Sequence, residues 1–147
     1  MLSNTCKYAL RALIYLGKNA KEKEKIGIKK IAGDLNIPMP FLGKILQNLV
    51  RKKILISIKG PNGGFALGKN PKDISLYDIV TIIEGENYFL HCLLSLETCQ
   101  VHQEKGHPCA IHNRFEEIRE PLVHFYKETT IELVLSDLKA YQEIIKQ

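Results

Sequence analysis

Residues 28–67 contain two apolar stripes of helical spacing, separated by a corner that a single helix cannot cross. The first stripe consists of Ile28, Ile31 and Leu35. Asn36 follows it and tolerates the left-handed conformation that a sharp turn between helices requires. Pro38 and Pro40 cannot lie inside a helix, although Pro40 suits the first turn of a new one. The pattern therefore predicts two short helices joined by a tight corner.

The second of these helices is apolar on one side and polar on the other. Its apolar stripe consists of Leu42, Ile45, Leu46, Leu49 and Val50. Its other side consists of Gly43, Lys44, Gln47, Asn48 and Arg51. A small residue, Ala32, lies where the two helices would cross. A tight helical pair whose second member is polar is typical of a helix-turn-helix.

Two short strands follow the helical pair. Residues 54–59 and 64–67 have strand character, and the glycine-rich tip Gly60-Pro61-Asn62-Gly63 joins them as a hairpin wing. The predicted class is mainly α: a winged helix-turn-helix DNA-binding domain with a long C-terminal dimerisation helix. An alternative is the same fold used as a protein-interaction module, because many helix-turn-helix folds bind protein instead of DNA.

The charges of the chain are segregated along the sequence. The 147 residues carry a net charge of +5, yet residues 1–72 hold 15 Lys and Arg against three Asp and Glu, whereas residues 73–147 hold six against 13. A positive half that coincides with the helix-turn-helix and wing is the expected footprint of a phosphate-binding face. A merely solvated lysine surface, which residues 21–25 resemble, does not explain why the acidic residues collect elsewhere.

Further helices are predicted on both sides of this unit. The first spans residues 3–19, and a charged loop over residues 18–27 follows it. Another helix begins at Ser75, with Asp78 completing a capping box, and ends at Gly85. Residues 86–108 show no sustained period, so we expect a loop with a functional reason for its length. Residues 109–127 return to helix, and Pro121 should kink it or start a new turn. A second capping box, Thr129-x-x-Glu132, should open the last helix.

The helix predicted over residues 109–127 carries an apolar stripe beyond the winged domain. The stripe consists of Ile111, Phe115, Ile118, Leu122 and either Phe125 or Tyr126. Little of the chain remains to cover it, so we expect a second copy as partner, in a homodimer suited to a palindromic operator in double-stranded DNA. Three regions are predicted: 1–85 for DNA binding, 86–108 as a sensor loop, and 109–147 for dimerisation and a C-terminal helix.

We expect a cytoplasmic chain without a membrane-spanning segment. The apolar positions of residues 8–16 are interrupted by Arg11, and no apolar run approaches the length of a bilayer span. Thiols in that compartment stay reduced or bind metal. No Ser-His-Asp arrangement, phosphate loop or paired catalytic carboxylates stands out, so no enzymatic activity is expected.

Three of the four cysteines fall late in the chain, in the spacing Cys92-x6-Cys99-x9-Cys109-x2-His112. Three thiols and an imidazole suit either an iron–sulfur cluster or zinc, and the spacing alone does not choose between them. A third interpretation is that these are unliganded thiols in a loop. Cys6 stands alone within the first predicted helix, where a small core residue is expected.

Three segments together resemble a known family. They are Tyr8–Leu13, Lys59–Phe65 in the wing, and the late cysteine triplet. With the order of elements they resemble the Rrf2-type bacterial transcription regulators. The resemblance implies a dimeric winged helix whose long late helix pairs the subunits. It further implies that Cys92, Cys99 and Cys109 ligate a cluster (2Fe–2S or 4Fe–4S), with His112 as fourth ligand.

The chain departs from that family pattern at two places. The spacings between its late cysteines are longer than the compact arrangement common in cluster-bearing members. Met39-Pro40 also stands where members carry a small hydroxyl residue near the start of the recognition helix. The alternative to a cluster is a zinc-bound or clusterless repressor that senses a thiol or a small metabolite.

The expected DNA contacts divide by chemistry. The residues involved are Phe41, Lys44, Gln47, Asn48, Arg51, Lys52, Lys53, Lys59, Gly60 and Gly63. The polar residues of the recognition helix would contact base edges or nearby phosphates in the major groove. Phe41 would touch a thymine methyl group or simply pack. The basic residues after the helix would hold phosphates, and the wing would place Lys59 against the minor groove or the backbone, its glycines allowing a close approach.

Overall fold

The computed structural model describes residues 1–19, 24–107 and 109–141. It contains seven α-helices and a two-stranded antiparallel sheet within those residues, which confirms the mainly helical class. The elements are α1 (Asn4–Asn19), α2 (Ile28–Leu35), α3 (Met39–Arg51), β1 (Leu55–Ile58), β2 (Gly64–Leu67), α4 (Leu76–Glu84), α5 (Cys99–Glu104), α6 (His112–Glu128) and α7 (Ile131–Tyr141).

The corner between α2 and α3 has the predicted left-handed residue. Asn36 has φ 52° and ψ 48°, and its N–H donates to carbonyls of the last turn of α2. Ile37 is buried and donates its N–H to the carbonyl of Ala32 at 3.0 Å. α3 then begins at Met39, with Pro40 in its first turn, where a missing N–H costs nothing. The helix-turn-helix is thus built as the residues predict.

The left-handed conformation at Asn36 can be tested with a matched pair of substitutions. Asn36→Ala should lower the free energy of unfolding by about 1 kcal/mol, because alanine lacks the short polar side chain whose local hydrogen bonds let asparagine accept this conformation. Asn36→Gly should leave it nearly unchanged, because glycine adopts a positive φ freely. Urea denaturation of both variants measures the difference. Equal stability of the two variants would show that the corner does not depend on the backbone conformation of this residue.

Helix α1 is the centre of the hydrophobic core and contacts α2, α3, α4, α7 and β2. Two polar contacts attach α2 to it. The Arg11 guanidinium donates to the carbonyl of Leu35 at 2.8 Å, at the C-terminal end of α2. The Tyr15 hydroxyl donates to the carboxylate of Asp34 at 2.6 Å. The arginine of the Tyr8–Leu13 segment therefore holds the helix-turn-helix in place through the end of α2.

The wing is anchored by a residue that the sequence assigned to a charged loop. Ile26 exchanges two backbone hydrogen bonds with Phe65, each 2.9 Å long. Gly64 lies beside this bridge with φ 154°, and a Cβ there would come within 2.5 Å of the Ile26 backbone. The expectation of a loop through this segment is therefore wrong at Ile26. Residues 20–23, which include part of the predicted lysine surface, lie outside the described residues.

The capping predictions have different outcomes. Ser75 and Asp78 form the predicted capping box at the start of α4, and Gly85 ends that helix with φ 110°. Thr129 does not cap the last helix, because it still belongs to the end of α6. Instead, the hydroxyl of Thr130 accepts from the N–H of Leu133 at 3.2 Å.

The segment expected to be an unstructured loop contains two short helices. A 3-10 turn spans Tyr88–Leu90, and α5 begins at Cys99. Phe89 is buried between Tyr77 and Tyr126, with ring centroids 5.0 Å away on each side. Because aromatic side chains bury a large apolar area, this contact gives the segment a fixed position over α4 and α6.

Helix α6 begins at His112 instead of Cys109 and runs unbroken through Pro121. Its apolar residues divide between two faces. Val123 and Tyr126 pack against the cluster of Cys6, Val80 and Phe89, whereas the side chains of Ile118, Leu122 and Phe125 are exposed. The expectation that little of the chain remains to cover this helix is therefore wrong for the first face. Among the described residues, no helix combines the length and apolar character needed to cross a bilayer.

Candidate nucleic-acid interface and cysteine centre

The exposed side of α3 carries the polar side chains of the predicted recognition helix. Leu42, Leu46 and Leu49 are buried beneath it and fix the helix on the core. Lys44, Gln47 and Arg51 are therefore exposed, and Asn48 is half-buried. The Arg51 guanidinium donates to the amide oxygen of Asn48 at 3.5 Å.

A groove of about 630 Å³ separates α3 from the wing. Gln47, Lys59, Gly60 and Gly63 line it, so the structure brings four of the predicted contacts to one place. Lys29, in the first turn of α2, lines the same groove. The sequence analysis did not name it, although the Lys29-Lys30 pair at the start of α2 was a visible signal.

The remaining predicted contacts lie outside this groove. Lys52 ends α3 and borders a second cavity, of about 260 Å³, beside α4. Lys53 follows with φ 61°, and both side chains are exposed. Phe41 is 63% exposed on the first turn of α3. The predicted DNA-binding residues thus lie in three places: in the groove, on the exposed side of α3, and at the C-terminal end of α3.

The Cys92 thiol lies in a small shell of hydrogen-bond donors. The N–H of Leu94 donates to its sulfur at 3.4 Å. This donor, with further hydrogen bonds from Cys109 and Ser95, outweighs the effect of burial and lowers the pKa of Cys92 to about 7. Since thiolates are the form that binds metals, Cys92 is suited to be a ligand. Cys109 is half-buried and is the thiol that the structure places next to it.

The Cys99 thiol instead faces a buried arginine. Arg119 Nη1 donates to its sulfur at 3.3 Å, and the same guanidinium pairs with Glu116 and lies 5.3 Å from the Phe115 ring centroid. A buried cation requires such partners, because leaving it unpaired in an apolar environment is costly. The sequence analysis missed Arg119, although its i,i+3 spacing from Glu116 was a detectable signal.

His112 lies on the Cys99 side of the site. A cavity of about 490 Å³ is lined by Leu90, Cys99, Gln100, Gln103, His112, Glu116 and Arg119. The His112 ring contacts the Gln103 amide, with 2.8 Å between their Nε2 atoms, and lies 4.0 Å from the Glu116 carboxylate. In the helix predicted over residues 109–127, Cys109 and His112 would share one face, but this is wrong because Cys109 precedes α6.

The four predicted ligands therefore occur as two pairs, Cys92 with Cys109 and Cys99 with His112. No three His, Cys, Asp or Glu side chains within residues 1–19, 24–107 and 109–141 are placed to hold one metal ion. Zinc requires its ligands within about 2.0–2.3 Å of a single centre, and the described residues offer no such compact set. A cluster of several irons binds its ligands at different iron atoms, so the ligands need not meet at one centre. Hydrogen bonds from N–H groups to the ligand sulfurs are also compatible with such a cluster. The donor set thus fits an iron–sulfur group by its chemistry.

The fourth cysteine belongs to the core. Cys6 is fully buried on α1, and burial, followed by the nearby Glu84 carboxylate, raises its pKa to about 11. A thiol in this environment is unreactive, so the prediction of a small core residue at this position is confirmed.

A family model described as an iron-dependent transcriptional regulator, Rrf2, matches residues 2–137. The chain belongs to the Rrf2 family. A protein of Aquifex aeolicus named as an HTH-type transcriptional regulator is 36% identical over 131 residues, which cover 89% of this chain and 88% of that one. The transcriptional regulator NsrR of Geobacillus kaustophilus is 36% identical over 91 residues, 62% of this chain and 61% of that one.

Solved structures of Rrf2-type proteins have the same fold. CymR, the global cysteine regulator of B. subtilis, has a TM-score of 0.73 at 25% identity, with 92% of this chain and 96% of that one covered. T. potens IscR has a TM-score of 0.73 at 20% identity, with coverages of 97% and 90%. The chain is therefore an Rrf2-family transcriptional regulator with the winged helix-turn-helix fold, and the resemblance drawn from its motifs is confirmed.

Proposed function

We propose that this Rrf2-family regulator is a homodimer that binds a palindromic operator in double-stranded DNA and is controlled by an iron–sulfur cluster in its cysteine centre. The observation that carries the proposal is the contact between Cys99 and Arg119. It connects the segment that would hold the cluster directly to α6, the helix proposed to pair the subunits. A change at the cysteine centre would therefore act on the spacing of the two DNA-binding surfaces.

The DNA-binding part of the proposal rests on the groove between α3 and the wing. Lys44, Gln47 and Asn48 would contact base edges from the exposed side of α3 in the major groove. Lys29 of α2 and Lys59 of the wing, which both line the groove, would hold phosphates of the strand that enters it. Arg51, Lys52 and Lys53 would hold phosphates at the other end of α3. These phosphate contacts fix the register of the recognition helix.

The homodimer part rests on an apolar face that the chain leaves exposed. Ile118, Leu122 and Phe125 recur at i, i+4 and i+7 along one side of α6, and Ile118 is 64% exposed. Residues at this spacing share one face of a helix. The adjacent face of α6, which carries Val123 and Tyr126, is covered by the protein itself. A second copy of α6 would bury the exposed stripe across a two-fold axis.

The cysteine part assigns roles to groups of this chain. Cys92, Cys99 and Cys109 would hold the cluster as thiolates, with His112 as the fourth ligand. The Leu94 N–H and the Arg119 guanidinium would donate to the ligand sulfurs, as they do to the free thiols. His112 would have to exchange its contact with Gln103 to act as a ligand. When bound, the group would supply sensitivity to iron–sulfur status, redox state or nitric oxide.

A second candidate function is a clusterless repressor that senses a thiol or small metabolite. The cavity of about 490 Å³ favours it, because it combines a buried guanidinium, two amides and an apolar residue. A colourless protein without iron or sulfide after anaerobic purification would favour this candidate.

The DNA-binding proposal is tested by separating base contacts from phosphate contacts. Lys44→Ala with Gln47→Ala should reduce the preference for the operator over random duplex DNA. Lys52→Ala with Lys53→Ala should weaken binding to all duplexes alike and lower the slope of log affinity against log salt by roughly 0.9 per lost contact. Fluorescence anisotropy at several salt concentrations measures both effects.

Lys105→Ala is the matched control, because this exposed lysine lies at the end of α5, away from the groove. It should leave affinity and salt slope unchanged. If both double variants bind every duplex as the wild type does, the assigned face does not contact DNA.

A further inference from the structure

Phe41 is an exposed aromatic residue within a polar surface. It lies in the first turn of α3, next to Pro40, and 63% of its side chain is accessible to solvent. The core beneath α3 is filled by other residues of the helix, so Phe41 has no packing role there. Leaving a phenyl ring in water forgoes the free energy that burial provides.

The position of Phe41 on α3 places it with the base-contacting residues. At 3.6 residues per turn, Phe41 lies about 60° around the helix from Lys44 and about 20° from Asn48, towards the N-terminal end. The N-terminal part of a recognition helix is the part that contacts base edges. Met39 is also exposed, but it lies about 140° from Lys44, on another side of the helix.

The surroundings of Phe41 favour a polyanion over another protein surface. Residues 39–51 contain two basic residues, Lys44 and Arg51, and no Asp or Glu. In the major groove, the apolar group on a base edge is the C5-methyl of thymine. A phenyl ring carried into that groove among lysines therefore meets a defined apolar partner.

We infer that Phe41 determines specificity by packing on a thymine methyl group in each half of the operator. The inference rests on the DNA binding proposed above and adds a base identity to it. The contact is apolar and does not use a hydrogen bond. It therefore distinguishes thymine from uracil, which differs from it by the methyl group.

The test uses DNA selected by the wild-type protein, purified anaerobically, from a pool of random duplexes. Each thymine of the selected duplex is replaced in turn by uracil, and affinity is measured by fluorescence anisotropy. At one position in each half-site the wild type should bind about fourfold more weakly, the effect of one buried methyl group. Phe41→Ala should bind the thymine duplex more weakly and show no difference in affinity between thymine and uracil at that position. Phe41→Leu should retain part of that difference.

Met39→Ala is the matched control, an exposed apolar side chain in the same turn that faces elsewhere. It should keep the full difference between thymine and uracil. The inference is overturned if no uracil substitution weakens the wild type, or if Phe41→Ala responds to uracil as strongly as the wild type does. In either case, if the wild type still prefers the selected duplex over random duplex DNA, the proposed DNA binding is not contradicted. If the wild type selects no sequence at all, both proposals are wrong.

Discussion

Anaerobic reconstitution with ferrous iron and sulfide should load the wild-type chain, and Cys→Ala at position 92, 99 or 109 should abolish that loading. The effect is all or none, because thiolates are the strong ligands of iron–sulfur groups and their loss leaves an open coordination position. His112→Ala should leave a labile group, since neutral imidazole is a weaker donor. His112→Cys should restore retention and lower the reduction potential.

Iron and sulfide counts with the visible spectrum measure the loading. Cys6→Ala is the control, because that thiol is buried in the core away from the centre, and it should load fully. If Cys92→Ala or Cys99→Ala keeps full iron and sulfide, the ligands are misassigned. If the wild type takes up zinc and no sulfide, the centre is a zinc site formed by rearrangement of the Cys92–Cys109 and Cys99–His112 pairs.

The second large effect is expected at the exposed face of α6. Ile118→Asp should convert the protein to monomer at micromolar concentration, because each subunit would bury an unpaired carboxylate in the interface. Burying an unpaired charge costs about 3–5 kcal/mol, which corresponds to a roughly 150- to 4,000-fold weaker association. Sedimentation equilibrium over a concentration series measures the change.

A matched substitution separates this effect from damage to the helix. His124 is exposed on α6 but lies about 120° around the helix from Ile118, so His124→Asp should leave the protein dimeric. Circular dichroism should show that both variants keep their helices, because neither side chain is buried within the chain. A fully dimeric Ile118→Asp protein would place the subunit interface elsewhere.

The local features of this fold were determined by residues that are neighbours in the sequence. Asn36 follows the apolar stripe of α2 and precedes two prolines. This short segment is sufficient for the corner of the helix-turn-helix, because only a few residues accept a left-handed conformation. Ser75 and Asp78 are one helical turn apart, so their capping box needs no tertiary contact. The wing hairpin likewise depends on its glycine-rich tip. These features, and the family motifs that contain them, could be predicted from the sequence.

The cysteine centre shows what the sequence could not determine. The spacing of Cys92, Cys99, Cys109 and His112 predicts a shared site, but it carries no information on which of them face each other. That depends on Phe89, which packs between Tyr77 and Tyr126 and sets the position of the segment over α6. Cys99 consequently meets Arg119, 20 residues away, while Cys92 meets Cys109.

The same packing decides how α6 is used. In the sequence its apolar residues form a single stripe, because helical spacing gives no information on which parts of the folded chain pack against the helix. In the structure Tyr126 and Val123 are covered by the chain itself, and Ile118, Leu122 and Phe125 are exposed. The sequence by itself determined the family, the helix-turn-helix and which side chains are candidate ligands. Only the tertiary structure decided their pairing and which surfaces stay open, because those depend on contacts between residues far apart in the chain.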